Sequence, residues 1–128
     1  MRIDIDVQLR LPPEPTSARA ARQFVATSLR SCDVDIGLVS LMVSELVSNV
    51  VLHAHTSLEV AVLSRGDHIR ITVTDESPVI PAMKSYAADS ITGRGLAIVD
   101  SSAARWGIDE HPSGKAVWFE IPAEQAAS

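Results

Sequence analysis

The sequence predicts an α+β fold, a two-layer α/β sandwich in which three helices cover one face of a mixed, mainly antiparallel sheet. Apolar residues alternate with period two over residues 3–11, 58–62 and 69–73, which is the pattern of half-buried strands. Two segments with helical spacing lie between the first and second of these strands. Because helices and strands do not alternate strictly along the chain, a doubly wound parallel sheet is not expected.

The first half of the chain supplies one strand and two helices. The strand over residues 3–11 ends at a run of prolines, and Thr16 or Ser17 can cap the helix that follows. Asp33 or Asp35 can cap a second, longer helix that runs to about Ala54. This helix is apolar nearly all round, so we expect it to be buried in the protein.

The second half supplies two hairpins and a third helix. Arg65-Gly66-Asp67 turns the chain between the strands of the first hairpin. Residues 76–92 have little periodicity and predict a loop that is long enough to be functional. A short helix is predicted over residues 93–101. A last strand pair is predicted at residues 106–108 and 116–121, and its Trp106 and Trp118 are expected in the core.

Composition narrows the class of protein. The chain has 128 residues, so we expect one domain over residues 1–122 with a frayed tail over 123–128. A net charge of −5 argues against binding to a nucleic-acid backbone, which needs clustered basic residues. The single cysteine, Cys32, fits a reducing cytosol. No signal peptide and no uninterrupted apolar run of about 20 residues is found, so a cytoplasmic domain without a membrane span is expected.

A polar stripe on the long apolar helix is the first candidate site. Glu45, Asn49 and His53 follow one another at four-residue spacing, so they share one helix face. A carboxylate can orient or deprotonate a hydroxyl, and a neutral amide oxygen can ligate Mg²⁺ beside phosphates. The alternative is that the stripe is only a solvent-exposed edge of the helix.

Two later segments carry further candidates. Asp75 closes a strand and could accept a hydrogen bond from an exocyclic amine such as N6 of adenine, although turn-initiating Asp residues are common. Thr92-Gly93-Arg94-Gly95-Leu96 opens a helix, and such a glycine-rich start is a place for phosphate. It matches neither a dinucleotide fingerprint nor a P-loop. The four histidines lack metal-ligand spacing.

Four segments in this order give the chain a resemblance to a known family. They are SELVSNVVLHA, ITVTDESP, TGRGLAIVD and SGKAVWFEI. The chain resembles the GHKL ATPase superfamily, which has the Bergerat ATP-binding fold and includes histidine kinases. Within it, the chain is similar to the small single-domain branch of bacterial anti-sigma factors and serine-protein kinases. The resemblance runs from about Ala18 to Ile121.

The resemblance implies a role for each matched residue. Glu45 would be the catalytic carboxylate, and Asn49 would coordinate Mg²⁺ that bridges the ATP phosphates. Asp75 would hold the adenine amino group, and His53 would touch the phosphate side. The phosphates would be cradled at the end of an ATP lid over residues 76–92, by Gly93, Arg94, Gly95 and Leu96.

Two positions depart from the family pattern. Ser77 and Val79 stand where the first glycine box usually has glycines. Ala116 stands where a threonine usually helps to hold adenine through water. Both departures would weaken the affinity for ATP, and neither removes Glu45 or Asn49.

The resemblance implies an ATP-binding anti-sigma factor with serine/threonine protein kinase activity. Its partners would be a sigma factor and a STAS-type anti-anti-sigma protein, and a homodimer would form near the N-terminal strand. Arg19 and Arg22 on the first helix could engage an acidic partner, or could be an ordinary solvated face. The alternative is a nucleotide-binding regulatory module without catalytic turnover. A two-component histidine kinase is disfavoured, because the chain has no room for a phosphoacceptor hairpin.

Overall fold

The computed structural model describes residues 4–78, 91–122 and 124–125, with the side chains of residues 91–95 and 124–125 excluded. Three α-helices and seven strands occur in these residues. In chain order they are β1 (Ile5–Leu11), α1 (Thr16–Ser28), β2 (Cys32–Asp33), α2 (Ile36–Asn49), β3 (Leu58–Ser64), β4 (His68–Asp75), α3 (Ile91–Ser102), β5 (Arg105–His111), β6 (Gly114–Pro122) and β7 (Glu124–Gln125). A π-helical segment, Val50–Ala54, continues α2 and is called the π turn below.

The five long strands form one sheet in the order β1-β3-β4-β6-β5. The predicted two-layer α+β sandwich is confirmed, with the helices on one face. The sequence predicted a mixed sheet, whereas every strand pair in the described residues is antiparallel. The connections explain this, because two helices separate β1 from β3 and return the chain so that β3 runs opposite to β1.

The core lies between the sheet and the helices. Strand residues alternate between a buried face toward the helices and a partly exposed outer face. Helix α2 packs against α1, α3 and β4, so it is surrounded by protein, as its apolar sequence predicted. The largest fully buried side chains are Phe119, Leu29, Met42, Leu58, Ile69, Ile71 and Leu96. Burying each contributes about 1.5–3 kcal/mol relative to leaving it exposed.

Helix α2 and the π turn together form the one described helix that is long and apolar enough to cross a membrane. The segment Ile36–Ala54 has 19 residues and a mean hydropathy of 1.6. This is weak support for a membrane span, because the core helix of a soluble domain has the same length and composition.

Trp106 and Trp118 were predicted to lie in the core, but the structure places neither fully inside it. Trp118 lies on the outer face of the sheet, half-buried, with the guanidinium of Arg70 4.0 Å from its ring centroid. A side chain at Gly107 would collide with the Trp118 ring, so the glycine leaves room for it. Trp106 packs at the edge of the core, and its indole Nε1 donates to Asp100 Oδ1 at 2.8 Å.

The C-terminal segment also differs from the prediction of a frayed tail. Residues Glu124 and Gln125 pair as β7 with Asp33 and Cys32 of β2. The remaining tail positions, 123 and 126–128, lie outside the described residues. Burial raises the pKa of the Cys32 thiol, and a hydrogen bond with Ser31 opposes this effect. Cys32 is therefore a packed thiol rather than an activated nucleophile.

Candidate functional site

Helix α2 places the first two candidate residues inside the protein. Asp35 caps the helix by accepting a hydrogen bond from the Leu38 N–H at 3.1 Å, so of the two predicted caps Asp35 is the one used. Glu45 lies on α2 with 8% of its surface exposed, and Asn49 at the helix end is half-buried. The polar stripe is therefore mostly buried at these two positions, which disfavours the interpretation as a solvent-exposed edge.

Asn49 carries an unusual buried atom. Its side-chain oxygen Oδ1 is buried and accepts no hydrogen bond from the residues that the structure describes. Leaving a buried polar group unsatisfied costs about 1–3 kcal/mol, so such atoms are rare in native proteins. A neutral oxygen that lacks a donor among the described residues suits a hard cation such as Mg²⁺, which prefers oxygen ligands.

The π turn begins immediately after Asn49. The His55 N–H donates to the Val50 carbonyl oxygen at 2.8 Å, five residues back, and His55 ends the helix in the left-handed conformation with φ of 57°. Wide turns of this kind are often found at functional sites. His53 lies in this turn with its side chain exposed, so it does not share the burial of Glu45 and Asn49.

Asp75 is held by hydrogen bonds and an ion pair. It ends β4 with 4% of its surface exposed, and Oδ1 accepts a hydrogen bond from the Ser77 N–H at 2.8 Å. The ammonium of Lys115 on β6 lies 2.9 Å from both Oδ1 and Oδ2. The same ammonium donates to the Ser77 carbonyl oxygen at 3.3 Å. Asp75 is thus held in a fixed orientation by a buried ion pair.

Gly114 brings the two strands together at this point. Its φ is +155°, and a Cβ built on it would lie 2.0 Å from the Asp75 carbonyl oxygen. A residue with a side chain therefore cannot stand here without moving the backbone of β4. Gly114 is needed for the close approach that sets Lys115 opposite Asp75.

The strand register places Lys115, and not Ala116, opposite Asp75. Residue 116 pairs with Thr74, whereas Lys115 pairs with Asp75. Because successive residues point to opposite faces of a sheet, Lys115 and not Ala116 shares the face of Asp75. The polar neighbour of Asp75 on β6 is therefore a lysine.

The glycine-rich segment lies inside α3 rather than before it. The sequence predicted that this helix begins at Gly93, but it begins at Ile91. The first four N–H groups of a helix have no acceptor within it, so the N–H groups of residues 91–94 include those of Gly93 and Arg94. The side chains of residues 91–95 lie outside the described part of the chain, as do residues 79–90 of the predicted lid. Leu96 is fully buried in the core.

A surface hollow of about 220 Å³ opens beside Asp75. Its lining includes Arg10 and Glu76, which form an exposed ion pair at 3.7 Å, but neither Glu45 nor Asn49. The hollow therefore does not join the candidate residues of α2 to Asp75.

Within the described residues, no group of three or more His, Cys, Asp or Glu side chains could hold a metal ion. A cation at Asn49 would therefore need further oxygen ligands from a bound molecule, and phosphate oxygens would supply them. The residues present fit a metal that arrives with a phosphate ligand.

Comparisons with known proteins show the family to which the chain belongs. Residues 11–121 match the family described as histidine kinase-like ATPase domain. The chain belongs to the histidine kinase-like ATPase domain family, of the GHKL superfamily, and ATP is the ligand that this family implies.

Two solved structures share the fold. The RsbU and RsbW domains of Rv1364c from Mycobacterium tuberculosis match 94% of this chain and 33% of that chain, with a TM-score of 0.69 and 20% identity. The histidine kinase domain of the blue-light activated histidine kinase EL346 from Erythrobacter litoralis matches 68% of this chain and 44% of that chain, with a TM-score of 0.52 and 23% identity.

One relative is similar in sequence. The uncharacterized protein SCO4941 of Streptomyces coelicolor is 36% identical over 70 residues, which cover 53% of this chain and 66% of that protein. The chain thus matches just under two thirds of this relative and a third of the Rv1364c structure.

Lys115 is the site residue that the sequence reasoning missed. A signal for it was present, because Lys115, Val117, Phe119 and Ile121 alternate along one strand and three of them are apolar. The same alternation that places Phe119 in the core also places Lys115 on the buried face. The roles of Glu45, Asn49, His53, Asp75 and the glycines of α3 stay predictions.

Proposed function

We propose that this domain is an ATP-binding anti-sigma factor that phosphorylates a STAS-type anti-anti-sigma protein on serine or threonine. The observation that carries the proposal is the buried pair on α2, Glu45 with 8% exposure and Asn49 with an unsatisfied buried oxygen. A domain that only held a nucleotide would not need a buried carboxylate beside the metal ligand. The likeness in fold to the RsbW domain of Rv1364c supports the same class of protein.

In this proposal each residue has a distinct task. Asn49 would ligate Mg²⁺ through Oδ1, and the metal would neutralise phosphate charge when bound. Glu45 would orient the attacking hydroxyl of the partner or take its proton. Asp75, held by Lys115 and Ser77, would accept a hydrogen bond from the adenine amine. The N–H groups at the start of α3 would contact phosphate oxygens.

The proposed partners are a sigma factor and its antagonist, with a homodimer formed near β1. Strand β1 is an edge of the five-stranded sheet, so its outer backbone groups are available for pairing. Arg22 on α1 is partly occupied, because its Nη1 donates to Ser44 Oγ on α2 at 3.0 Å. Arg19 is exposed and is the better candidate for an acidic partner surface.

A phosphotransfer assay tests the kinase proposal. The protein would be incubated with labelled ATP, Mg²⁺ and candidate STAS-type proteins encoded by the same genome. We expect transfer to one of them, and we expect Glu45→Gln to abolish transfer while ATP binding persists. Glu14→Gln is the matched control, because Glu14 is exposed in the loop before α1. ATP binding without transfer to any candidate would contradict the kinase proposal.

A binding titration tests the metal ligand. Mg²⁺ should strengthen ATP binding to the unmodified protein, and Asn49→Leu should remove this Mg²⁺-dependent gain. An equal gain from Mg²⁺ in both proteins would refute the role of Asn49.

The second candidate is a nucleotide-binding regulatory module without turnover. The observation in its favour is the end of β4, where Ser77 is buried and both its N–H and its carbonyl oxygen are engaged by Asp75 and Lys115. This segment is held more firmly than a pair of glycines would be. Tight ATP binding with identical partner affinity in Glu45→Gln and in the unmodified protein, and no phosphotransfer, would favour this function.

A further inference from the structure

The buried ion pair of Asp75 and Lys115 is more than the fold requires. The two residues stand opposite each other at the ends of β4 and β6, and their side chains are 2% and 7% exposed. The preceding pair of the same face, Val73 and Val117, is apolar. Because burying two charges is costly and an apolar pair often stabilises as well, a purely structural role gives no reason for these charges.

The hydrogen bonds of Asp75 leave one position open among the described residues. A carboxylate offers about four acceptor positions, two on each oxygen. Oδ1 accepts from the Ser77 N–H and from Lys115, while Oδ2 accepts from Lys115 alone. Oδ2 can therefore accept one further hydrogen bond.

Lys115 has one donor that is weakly used. An ammonium has three N–H donors, and two of them are directed to the Asp75 oxygens. The third is directed to the Ser77 carbonyl oxygen at 3.3 Å, beyond the usual length of an N–H···O bond. This donor can turn to a better acceptor at little cost. A free acceptor and an available donor thus lie side by side, 2.9 Å apart.

We propose that Lys115 is a second base-recognition residue, which donates a hydrogen bond to N1 of adenine while Asp75 accepts one from N6. Adenine has a donor at N6 beside an acceptor at N1, which matches the adjacent acceptor and donor of the pair. Guanine and hypoxanthine have an acceptor at position 6 and a donor at N1, which is the reverse order. The pair therefore discriminates among purines as well as binding them. This inference rests on the proposed nucleotide site at Asp75.

The test compares ADP with 1-deaza-ADP, in which a C–H group replaces N1. Calorimetric titration would measure both dissociation constants for the unmodified protein, Lys115→Met and the control Arg65→Met. Arg65 is a matched control because it also loses a cation but is 71% exposed in the turn between β3 and β4. Lys115→Gln is a second variant that keeps an N–H donor if Lys115→Met does not fold.

We expect the unmodified protein and Arg65→Met to bind ADP about 10- to 100-fold more tightly than 1-deaza-ADP, the range of one hydrogen bond to a charged group. In Lys115→Met the ratio should fall to about one, and in Lys115→Gln it should be intermediate. A structural role for Lys115 would weaken both ligands equally and leave the ratio unchanged.

The outcomes separate this inference from the proposed function. ADP binding with equal affinity for 1-deaza-ADP in the unmodified protein refutes the role of Lys115 and leaves the nucleotide site intact. An unchanged ratio in Lys115→Met refutes it as well. Undetectable ADP binding to the unmodified protein at millimolar concentration overturns both.

Discussion

The buried ion pair of Asp75 and Lys115 makes a quantitative prediction about stability. Removing the ammonium with Lys115→Met leaves the Asp75 carboxylate with the Ser77 N–H as its one remaining described donor. Breaking a buried pair in this way costs about 3–5 kcal/mol. Asp75→Asn removes the other charge and leaves the Lys115 ammonium buried without its carboxylate, so we expect a loss of stability of similar size. For a domain of 128 residues, either loss lowers the Tm by roughly 10–20 °C.

The double variant should be much less damaged than either single variant suggests. With Met at 115 and Asn at 75 no buried charge remains, and the Asn oxygen can still accept from the Ser77 N–H. We expect the double variant to lie within about 2 kcal/mol of the unmodified protein. The two single losses sum to about 6–10 kcal/mol, so the coupling free energy between the two positions should be at least about 4 kcal/mol.

Urea unfolding measures these values in one experiment. Fluorescence of Trp106 and Trp118 reports the unfolding transition, and far-UV circular dichroism gives a second probe. The dependence of the free energy of unfolding on urea concentration should be the same for the unmodified protein, the two single variants and the double variant. Arg10→Met is the control, because it breaks an ion pair with Glu76 whose side chains are 65% and 62% exposed. That change should cost less than about 1 kcal/mol.

Two results would refute the reasoning about the ion pair. One is a loss below about 1 kcal/mol in each single variant, which would mean that water reaches the pair and screens it. The other is a double variant whose loss equals the sum of the two single losses, because additive effects mean that the charges do not interact.

Three further predictions concern other positions. Gly114→Ala should destabilise the domain by about 2–5 kcal/mol, since its Cβ would collide with the Asp75 backbone at a positive φ. Thermal unfolding measures this loss, and a smaller loss would mean that β6 moves to relieve the collision. Asn49→Leu should raise the free energy of unfolding by about 1 kcal/mol, because it removes the unsatisfied oxygen, and a loss of stability in urea would contradict this. Iodoacetamide should alkylate Cys32 at least about tenfold more slowly than free cysteine at pH 7.5, because its raised pKa leaves little thiolate, and mass spectrometry should show the rate still rising with pH above 8.

The sequence predicted those parts of the fold that depend on repeated one-sided burial. The strands β3 and β4 and the helix α1 show clear periodicity because every second or every third to fourth residue meets the core. The short strands β2 and β7 have no such signal. Each has two residues, and their pairing depends on where the C-terminal segment comes to lie against the α1–α2 connection. The local sequence therefore does not predict the pairing of β2 with β7.

The π turn after Asn49 is a second feature that the sequence did not predict. Residues 50–54 have ordinary helical composition, and the sequence predicted one regular helix to about Ala54. A π turn differs from an α turn only by a shift of one hydrogen bond, here to the bond from His55 N–H to Val50 O. The free-energy difference is decided by packing at both ends of the turn, so the helix type is not readable from residue preferences. The change of pitch is also why His53 cannot be assigned a direction from four-residue spacing alone.

Candidate site residues could be predicted where a polar residue stands in an otherwise apolar pattern. Glu45 and Asn49 were singled out because they are polar in an apolar helix, and both prove largely buried. Lys115 shows the same disagreement on a strand, but it stands next to Gly114 at a turn, where a lysine is ordinarily exposed. Only the register with β4 shows that it is enclosed.

Two energetically costly groups among the described residues lie on different elements. One is the unsatisfied oxygen of Asn49 on α2, and the other is the charge pair of Asp75 and Lys115 at the ends of β4 and β6. Helix α2, which carries Asn49, packs on β4, which carries Asp75. An apolar residue at position 49, or apolar residues at positions 75 and 115 together, would remove a desolvation cost. In the proposed function, a ligand with phosphates and metal at Asn49 and a hydrogen-bonding base at Asp75 and Lys115 would use both groups.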